Sequence, residues 1–524
     1  MIENHNDEHG WRPTRRELLI ATGVGGTGLA VEWVMTRSRV NQSLRRSSAT
    51  STGSNTVRPA FIEPRELASV HGALAVTLRV ASSMVAFGSS TRWSLTYNGT
   101  SPGPTLLVRP GDRVELRLEN QLDMPTNLHA HGLRVSPTGH GDNPFAMTDP
   151  GATYTYGYQI PTDHPAGTFW YHPHHHGLVA RQLFGGLAGT IIVQPADAPG
   201  AEIQTRLFVL TDPHITAKPD GSAVSMMTQM NGRQGDAILV NGLLAPRLSV
   251  NPGTFELWRI VNASASRTHR LRLEGHRFSV VASDGGRLPN SRAATELVLA
   301  PAQRTEVLVA VKQVGEYQLT ASITDDVGSM GMGTMGGATG TNAMNETGGK
   351  PTGLQNPSVA GQLVVASVHV YGRVRKDAVR RVSTGRVADL RGAAIARTRE
   401  LTLSVTMNDA MTAHRFLING RSFDPNRTDI TTHLGDVEDW TLRNTSTMDH
   451  PFHLHTWPFQ VMASATDPSP PREWKDVVNV PAGGWIRIRI PFDAHPGRSV
   501  FHCHIADHED GGMMATIEVL DTAA

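Results

Sequence analysis

A short segment near the C-terminus contains the side chains best suited to redox chemistry. It begins with His502, Cys503 and His504 and continues to His508 and Met513. Cys503 is the only cysteine among 524 residues, so it cannot form a disulfide within the chain. Two imidazoles, a thiolate and a weak thioether are the ligands of a blue-copper electron-transfer site. A lone cysteine is more often a small buried hydrophobic residue, but that interpretation does not explain the flanking histidines.

Four His-x-His pairs occur in the chain. On an extended strand, residues i and i+2 point to the same face, so each pair can direct two imidazoles into one cavity. One such pair is weak evidence and is usually structural, whereas four pairs together predict a metal cluster. The pairs are His129 and His131, His172 and His174, His453 and His455, and His502 and His504.

The elements that position these pairs belong to a unit that recurs three times. Each copy has an Asn-Gly turn followed by a strand of alternating polarity that ends at asparagine, which is typical of a half-buried strand in a β-sandwich. Residues 164–174 of the first copy match residues 495–504 of the third, with Pro173 where Cys503 stands. The corresponding segment of the middle copy, residues 315–322, has no histidine, so we expect that copy to be a spacer.

Many short strands, Gly- and Pro-rich turns and little helical periodicity predict an all-β chain of three cupredoxin-like Greek-key β-sandwich domains. The first and third domains must face each other with the metals between them. The predicted divisions are a signal region and linker at 1–58, domain 1 at 59–197, domain 2 at 198–380 and domain 3 at 381–524.

The N-terminus and the composition bear on location and partners. Arg15 and Arg16 precede a mildly apolar, glycine-rich run, which predicts export by the twin-arginine route to the periplasm or the extracellular space. We expect no stable membrane insertion of the mature protein, because no other apolar run approaches membrane-spanning length. With 48 basic and 47 acidic residues, no charge excess favours a nucleic acid, so small molecules are the expected partners.

These motifs together resemble the three-domain multicopper oxidases, the family of laccases, bacterial cuprous oxidases and bilirubin oxidases. The resemblance extends from about Pro59 to Leu520 and implies four coppers: one type 1, one type 2 and a type 3 pair. It implies that type 1 copper is held by His450, Cys503, His508 and Met513, type 2 copper by His129 and His453, and the type 3 pair by His131, His172, His174, His455, His502 and His504.

The same resemblance implies a reaction. A reducing substrate would give single electrons to the type 1 copper at an exposed edge of His450 or His508, and four electrons would reduce O2 to two waters. Asp142 and Glu509 lie where similar enzymes keep carboxylates that supply protons. The simpler interpretations are a turn former for Asp142 and a solvated charge for Glu509.

The motifs do not distinguish a phenol or aromatic amine from Cu(I) or another metal ion as substrate. Residues 328–349 form a Met- and Gly-rich loop that could bind Cu(I) through soft thioethers or could be a tolerated insertion. Met226, Met227 and Met230 form a second, smaller group. The alternative function is an exported copper-binding or copper-tolerance protein in which Cu(I) oxidation or sequestration is the main role. A two-domain nitrite reductase is disfavoured by the three copies and four His-x-His pairs.

Overall fold

The computed structural model describes residues 58–87, 90–195, 203–214, 224–322, 355–374, 387–408 and 410–521. The predicted twin-arginine segment, the Met- and Gly-rich loop at 328–349 and both predicted domain boundaries lie outside these residues. The boundaries at 197/198 and 380/381 therefore stay predictions.

The N-terminal part of the described chain forms two sheets and one short helix. One sheet has the strand order β1-β4-β9-β8-β6 and the other the order β3-β2-β5-β7. The elements are β1 Glu66–Ala68, β2 Ala73–Phe87, β3 Ser90–Tyr97, β4 Thr105–Val108, β5 Arg113–Asn120, β6 His129–His131, β7 Thr153–Gln159, β8 Gly167–His172, α1 Val179–Gly185 and β9 Gly189–Val193.

The middle part forms a second pair of sheets. Their strand orders are β12-β11-β10-β14-β19-β16-β17 and β13-β22-β20-β15-β18, with β21 paired to β22. The elements are β10 Gln204–Thr211, α2 Met226–Asn231, β11 Leu239–Val240, β12 Leu243–Leu244, β13 Arg247–Val250, β14 Thr254–Asn262, β15 His269–Leu273, β16 Phe278–Ser283, β17 Gly286–Ala294, β18 Leu297–Leu299, β19 Arg304–Val311, β20 Gly315–Ser322, β21 Ser358–Val359 and β22 Gln362–Val370.

The C-terminal part begins with a 3₁₀ turn at Leu390–Gly392 and forms the third pair of sheets. Their strand orders are β24-β23-β26-β30-β28 and β25-β32-β31-β27-β29. The elements are β23 Arg397–Met407, β24 His414–Ile418, β25 Ile430–His433, β26 Val437–Asn444, β27 His450–Leu454, β28 Gln460–Ser464, β29 Val477–Val480, β30 Trp485–Pro491, β31 Gly497–Cys503, α3 Ala506–Asp510 and β32 Met514–Leu520.

The threefold repeat predicted from the sequence has the same geometry in each part. Asn98, Asn241 and Asn419 all have positive φ, as do the glycines that follow them, which is the backbone of a tight hairpin turn. Each asparagine Oδ1 accepts a main-chain N–H from the neighbouring strand over 2.8 Å. That strand runs parallel to the alternating strand of the same unit in all three parts: β2 with β5, β10 with β14 and β23 with β26.

Each pair of sheets encloses its own apolar core, because alternate residues of the facing strands point inward. A further apolar cluster joins the three parts, with Trp170 from the first, Val261 from the middle and Val477 from the last. The prediction of an all-β, cupredoxin-like chain is confirmed. Among the described residues, no helix is long and apolar enough to cross a membrane.

Candidate metal centres

The predicted histidines lie on or just beyond four strands that form two equivalent antiparallel pairs. In the first part β6 pairs with β8, with His129 opposite His172. In the last part β27 pairs with β31, with His453 opposite His502. Only β6 carries both histidines of its pair within the strand. The second members, His174, His455 and His504, lie one or two residues past the end of β8, β27 and β31.

The eight histidines of the four pairs come together in one buried cluster. The Nε2 atoms of His174 and His502 are 3.0 Å apart, and His455 Nε2 lies 3.1 Å from the first and 3.2 Å from the second. On the other side, His129 Nε2 is 3.3 Å from His453 Nε2. Three groups have ligand atoms close enough to share one ion each: His174, His455 and His502; His131, His172 and His504; and His129, His131 and His453.

Hydrogen bonds at the rear of the rings leave acceptor nitrogens facing the interior. His172, His453 and His502 donate Nδ1–H to main-chain carbonyls over 2.8–3.0 Å, so Nε2 of each ring is unprotonated. Neither ring nitrogen of His504 has a hydrogen-bond partner among the described residues, and nor does Nε2 of His172. Facing lone pairs and partnerless nitrogens are costly in a buried site unless a cation lies between them.

Burial also keeps these rings in the form that binds metals. It lowers the pKa of His129, and the neighbouring rings of His172 and His174 lower it further. For the same reason burial lowers the pKa of His504 to about 3 and that of His174 to about 4. Metal binding requires neutral imidazole, so at neutral pH these three rings need to lose no proton before they bind a metal.

A second site combines His450, Cys503 and His508. Cys503 Sγ is 3.5 Å from His450 Nδ1 and 3.6 Å from His508 Nδ1, and the two Nδ1 atoms are 3.3 Å apart. His450 Nε2 lies 2.8 Å from the hydroxyl of Ser446. Burial raises the pKa of the Cys503 thiol, so a metal has to displace its proton to bind the thiolate.

The predicted axial residue Met513 is fully buried beside this second site. Its carbonyl accepts the N–H of Cys503 over 3.0 Å, and its own N–H donates to the carbonyl of His508 over 2.8 Å. The turn between His508 and Met513 thus returns the chain to the strand that carries Cys503. All four predicted residues of this site therefore lie in one buried neighbourhood.

Both predicted acids contact the histidine cluster. Asp142 Oδ2 is 2.8 Å from His129 Nδ1, and its Oδ1 accepts the N–H of Ala130. Burial raises the pKa of Asp142 to about 7. Glu509 Oε2 lies 3.2 Å from His502 Nδ1, and its Oε1 lies 3.3 Å from His174 Nε2. Burial alone would raise the pKa of Glu509, but these two imidazoles outweigh burial and lower it.

The expectation that His450 or His508 exposes a ring edge is wrong. Both side chains are fully buried. The ring of Phe416 stacks on His508 with the centroids 4.2 Å apart, and His508 Nε2 donates to the main-chain carbonyl of Met230 over 2.9 Å. Met230 belongs to α2, a short helix of the middle part that begins at Ser225, whose hydroxyl accepts the N–H of Thr228. This helix covers the ring edge of His508, one of the two edges at which electrons were expected to enter.

Comparisons with known proteins show the family to which this chain belongs. Sequence models described as multicopper oxidase match residues 79–198, 204–345 and 396–523, which together make up more than half of the chain. The chain belongs to the multicopper oxidase family.

Relatives of this multicopper oxidase include proteins named for different functions. It is 30% identical to multicopper oxidase mco of Staphylococcus haemolyticus, over 81% of this chain and 84% of the relative. It is 27% identical to a laccase of Bacillus subtilis (81% and 90%) and 28% identical to the cell division protein FtsP of Dickeya dadantii (80% and 84%). The solved multicopper oxidase of Campylobacter jejuni, described as a metallo-oxidase, superposes with a TM-score of 0.74 at 26% identity, covering 88% of this chain and 95% of that one.

The donor set of this multicopper oxidase fits copper at both sites. Imidazole suits copper ions, and a thiolate with two imidazoles and a weak thioether is the blue-copper set. One of the two partnerless nitrogens of His504 and the facing Nε2 atoms of His174 and His502 would be satisfied by bound copper. The rear hydrogen bonds already fix the ring orientations, as in other metal sites.

Two residues of the multicopper oxidase site were missed in the sequence. Asp476 contacts His131 and His453, and Arg304 of the middle part forms an ion pair with Asp476. The absence of histidine from residues 315–322 had suggested that the middle part is a spacer. Arg304 shows that this part also contributes to the site. Neither residue belongs to a motif, and the two are 172 positions apart, so no local signal could have joined them.

Proposed function

We propose that this multicopper oxidase couples four one-electron oxidations of a reducing substrate to the reduction of O2 to two waters. Bound copper would supply the redox chemistry at both sites. The second site, with His450, Cys503, His508 and Met513, would hold the type 1 copper. His129 and His453 would hold the type 2 copper, and the type 3 pair would be held by His131, His172 and His504 on one side and His174, His455 and His502 on the other.

The observation that carries this proposal is the covalent link between the two sites. Cys503 belongs to the second site, and its neighbours in the chain, His502 and His504, belong to two different groups of the cluster. The shortest bonded path from one site to the other therefore passes through a single residue. A binding or storage protein would have no need for such a path.

The surrounding protein would control protons and water. Asp142 holds the ring of His129 through its Nδ1, and Glu509 lies against His174 and His502 with no exposed surface. We infer that both carboxyl groups pass protons to the cluster, because both contact its rings. Asp476, the third acid in contact with these rings, is instead held in an ion pair by Arg304. Exclusion of bulk water from this buried site would limit the escape of partly reduced oxygen.

Copper analysis of the purified protein tests the assignment. About four coppers per chain, with the intense blue absorption of a thiolate-bound copper, are expected from the ligand sets. A protein that holds one copper or none after growth with added copper would contradict the proposal. The cell-division role named for the Dickeya dadantii relative would then be the better starting point.

A second candidate, an exported copper-tolerance protein whose main substrate is Cu(I), is supported by the helix over His508. Met226 and Met227 lie on α2 with 46% and 66% of their surfaces exposed, and Met230 of the same helix contacts His508 through its carbonyl. Thioether sulfur favours Cu(I), and exposed methionines next to the site are where a Cu(I) donor could dock.

Steady-state kinetics with Cu(I) and with a phenol, side by side, separate the two substrate classes. If Cu(I) is the substrate, M226L/M227L lowers kcat/KM for Cu(I) about tenfold, the loss of roughly 1.4 kcal/mol of binding, and leaves the phenol unchanged. The matched control is M84L/M147L, two methionines that are each 50% exposed elsewhere. Equal behaviour of the two double variants would favour the organic substrate.

We also propose that the chain acts outside the cytoplasm after twin-arginine export, which rests on Arg15 and Arg16. The variant R15K/R16K should accumulate in the cytoplasm, because the twin arginines mark the address that the export receptor reads. Export of this variant at the wild-type level would contradict the route.

A further inference from the structure

Arg304 and Asp476 form a buried, bidentate ion pair between the middle and last parts of the chain. Arg304 Nη1 donates to Asp476 Oδ1 over 2.5 Å, and Nη2 donates to Oδ2 over 2.6 Å. The two side chains are 1% and 4% exposed. Two parallel hydrogen bonds fix the plane of the carboxylate as well as its position.

Asp476 contacts two histidines of the cluster, one from the first part of the chain and one from the last. Its Oδ1 lies 3.2 Å from His131 Nε2, and its main-chain carbonyl accepts His453 Nδ1–H over 2.8 Å. The two rings stack with centroids 3.8 Å apart and an interplanar angle of 14°. With His131 Nε2 turned toward Asp476, Nδ1 faces the cluster and has no hydrogen-bond partner among the described residues.

Arg304 also reaches the strand of a third cluster histidine. Its Nε donates to the carbonyl of Thr168 over 3.2 Å, on β8, which ends at His172. Its Nη2 donates in addition to the carbonyl of Asp284 over 2.8 Å. One guanidinium of the middle part therefore contacts β8 of the first part, which carries His172, and Asp476 of the last part, which contacts two further cluster histidines.

The backbone beside His131 leaves space for this ion pair. Gly132 has a φ of +85°, and a Cβ there would lie 2.5 Å from Arg304 Nη2 and 2.6 Å from Asp476 Oδ2. Any side chain at residue 132 would push the pair away from His131. The glycine is thus required both by its left-handed backbone and by the close approach of the arginine.

Stability alone does not account for this pair. Burying two charges costs about as much as their attraction returns, and apolar residues of similar volume are often equally stable. A fixed carboxylate that orients ligand rings has a role that apolar residues cannot perform.

We propose that Arg304 is a positioning residue for the histidine cluster. It fixes Asp476 so that His131 turns Nδ1, and His453 turns Nε2, toward the metals. This inference rests on the proposed function, since it concerns how the cluster holds copper. The middle part, which supplies none of the twelve proposed ligands, then controls metal binding between the other two.

The test compares R304Q, R304K and D476N with the wild type in the full chain. The matched control is R399Q, which removes another bidentate pair, Arg399 with the buried Glu438, from strands that carry no proposed ligand. Competition with a chelator measures the affinity for cluster copper, the blue absorption reports the type 1 site, and urea unfolding of the copper-free proteins reports structural damage.

We expect R304Q and D476N to bind cluster copper about 10- to 100-fold more weakly while the blue absorption is kept. R304K should also be impaired, because lysine keeps the charge but cannot donate the two parallel hydrogen bonds. R399Q should match the wild type in copper affinity. If R304Q fails to fold, the test relies on the affinity of D476N for cluster copper, because this substitution preserves the side-chain volume.

The inference is overturned if R304Q and D476N hold cluster copper as tightly as R399Q, or if R304K restores full affinity, which would make charge alone sufficient. It is also overturned if copper affinity falls only in proportion to the unfolding free energy of the copper-free protein. A wild-type protein without cluster copper would instead contradict the proposed function.

Discussion

His508 donates its Nε2–H to the main-chain carbonyl of Met230, so a residue of the middle part covers the outer edge of a ligand ring in the last part. Arg233, which follows the helix, binds Asp507 with both Nε and Nη2, and its own N–H donates to the same carboxylate over 2.7 Å. The helix is thereby tied to α3, directly beside His508. Under the proposed function, electrons from a substrate would have to cross this cover.

Release of the helix should change which donors the enzyme accepts. In R233A the side-chain hydrogen bonds from Nε and Nη2 to Asp507 are lost. We expect kcat/KM for a bulky phenol to rise about tenfold, equivalent to roughly 1.4 kcal/mol. For a small inorganic electron donor, kcat/KM should change little. The measurement is a kinetic series with donors of increasing size. A uniform fall across the series, or no change, would show that the helix does not limit access.

Replacement of Cys503 should separate the two sites. C503S removes the thiolate, so the blue absorption should disappear and about one copper per chain should be lost. The copper bound by the histidine cluster should be retained. Oxidase activity should fall by about a thousandfold or more, because the donor site no longer holds the metal that takes up its electrons. The control is M513L, which removes only the weak axial ligand and should stay blue. Retained blue colour in C503S would contradict the assignment of this site.

The two buried acids should affect O2 reduction. E509Q keeps the shape of the side chain but replaces the carboxylate with an amide that cannot take up and release a proton, so we expect O2 reduction to slow about 100-fold at full copper content. D142A should slow O2 reduction to the same extent. It should also weaken the binding of copper at His129, because the carboxylate that orients this ring is lost. The control is E256Q, a buried glutamate that contacts Arg206 and Trp258. If neither variant slows O2 reduction at full copper content, the proton role is wrong.

Asp510 should contribute to the stability of the interface between the first and last parts. Its carboxylate accepts the N–H groups of Gly177, Val179 and Ala180 at the start of α1, where Leu178 offers no side-chain cap. D510A should therefore lower the free energy of unfolding by about 1–2 kcal/mol, the usual value of a helix cap. Urea unfolding of the copper-free protein measures this, with D163A at an exposed carboxylate as the control. Equal stability of the two variants would contradict the capping role.

Much of the fold and of the site could be predicted because both depend on short sequence patterns. Each Asn-Gly pair predicts a tight turn, and both of its residues have positive φ in the structure. The alternation of polar and apolar residues along 113–120 predicts a strand, which the structure contains. The His-x-His pairs predict a cluster because strand geometry directs i and i+2 to one side.

The rest of the site depends on contacts between distant parts of the chain. Arg304 and Asp476 each lie in an ordinary strand or its approach, and only the packing of the middle part against the last brings them together. The burial of His508 was missed for the same reason, since Phe416 and Met230 cover it from elements 92 and 278 positions away in the chain. Sequence spacing identifies ligands, but it does not show what covers them.

The most direct test of the account is the number of electrons taken from a one-electron donor for each O2 consumed, measured with an oxygen electrode and an optical assay on the same sample. Two sites linked through Cys503 predict four donor molecules oxidised per O2, with no hydrogen peroxide released. A ratio of about two, with peroxide accumulating, would contradict the claim that this chain reduces O2 to water.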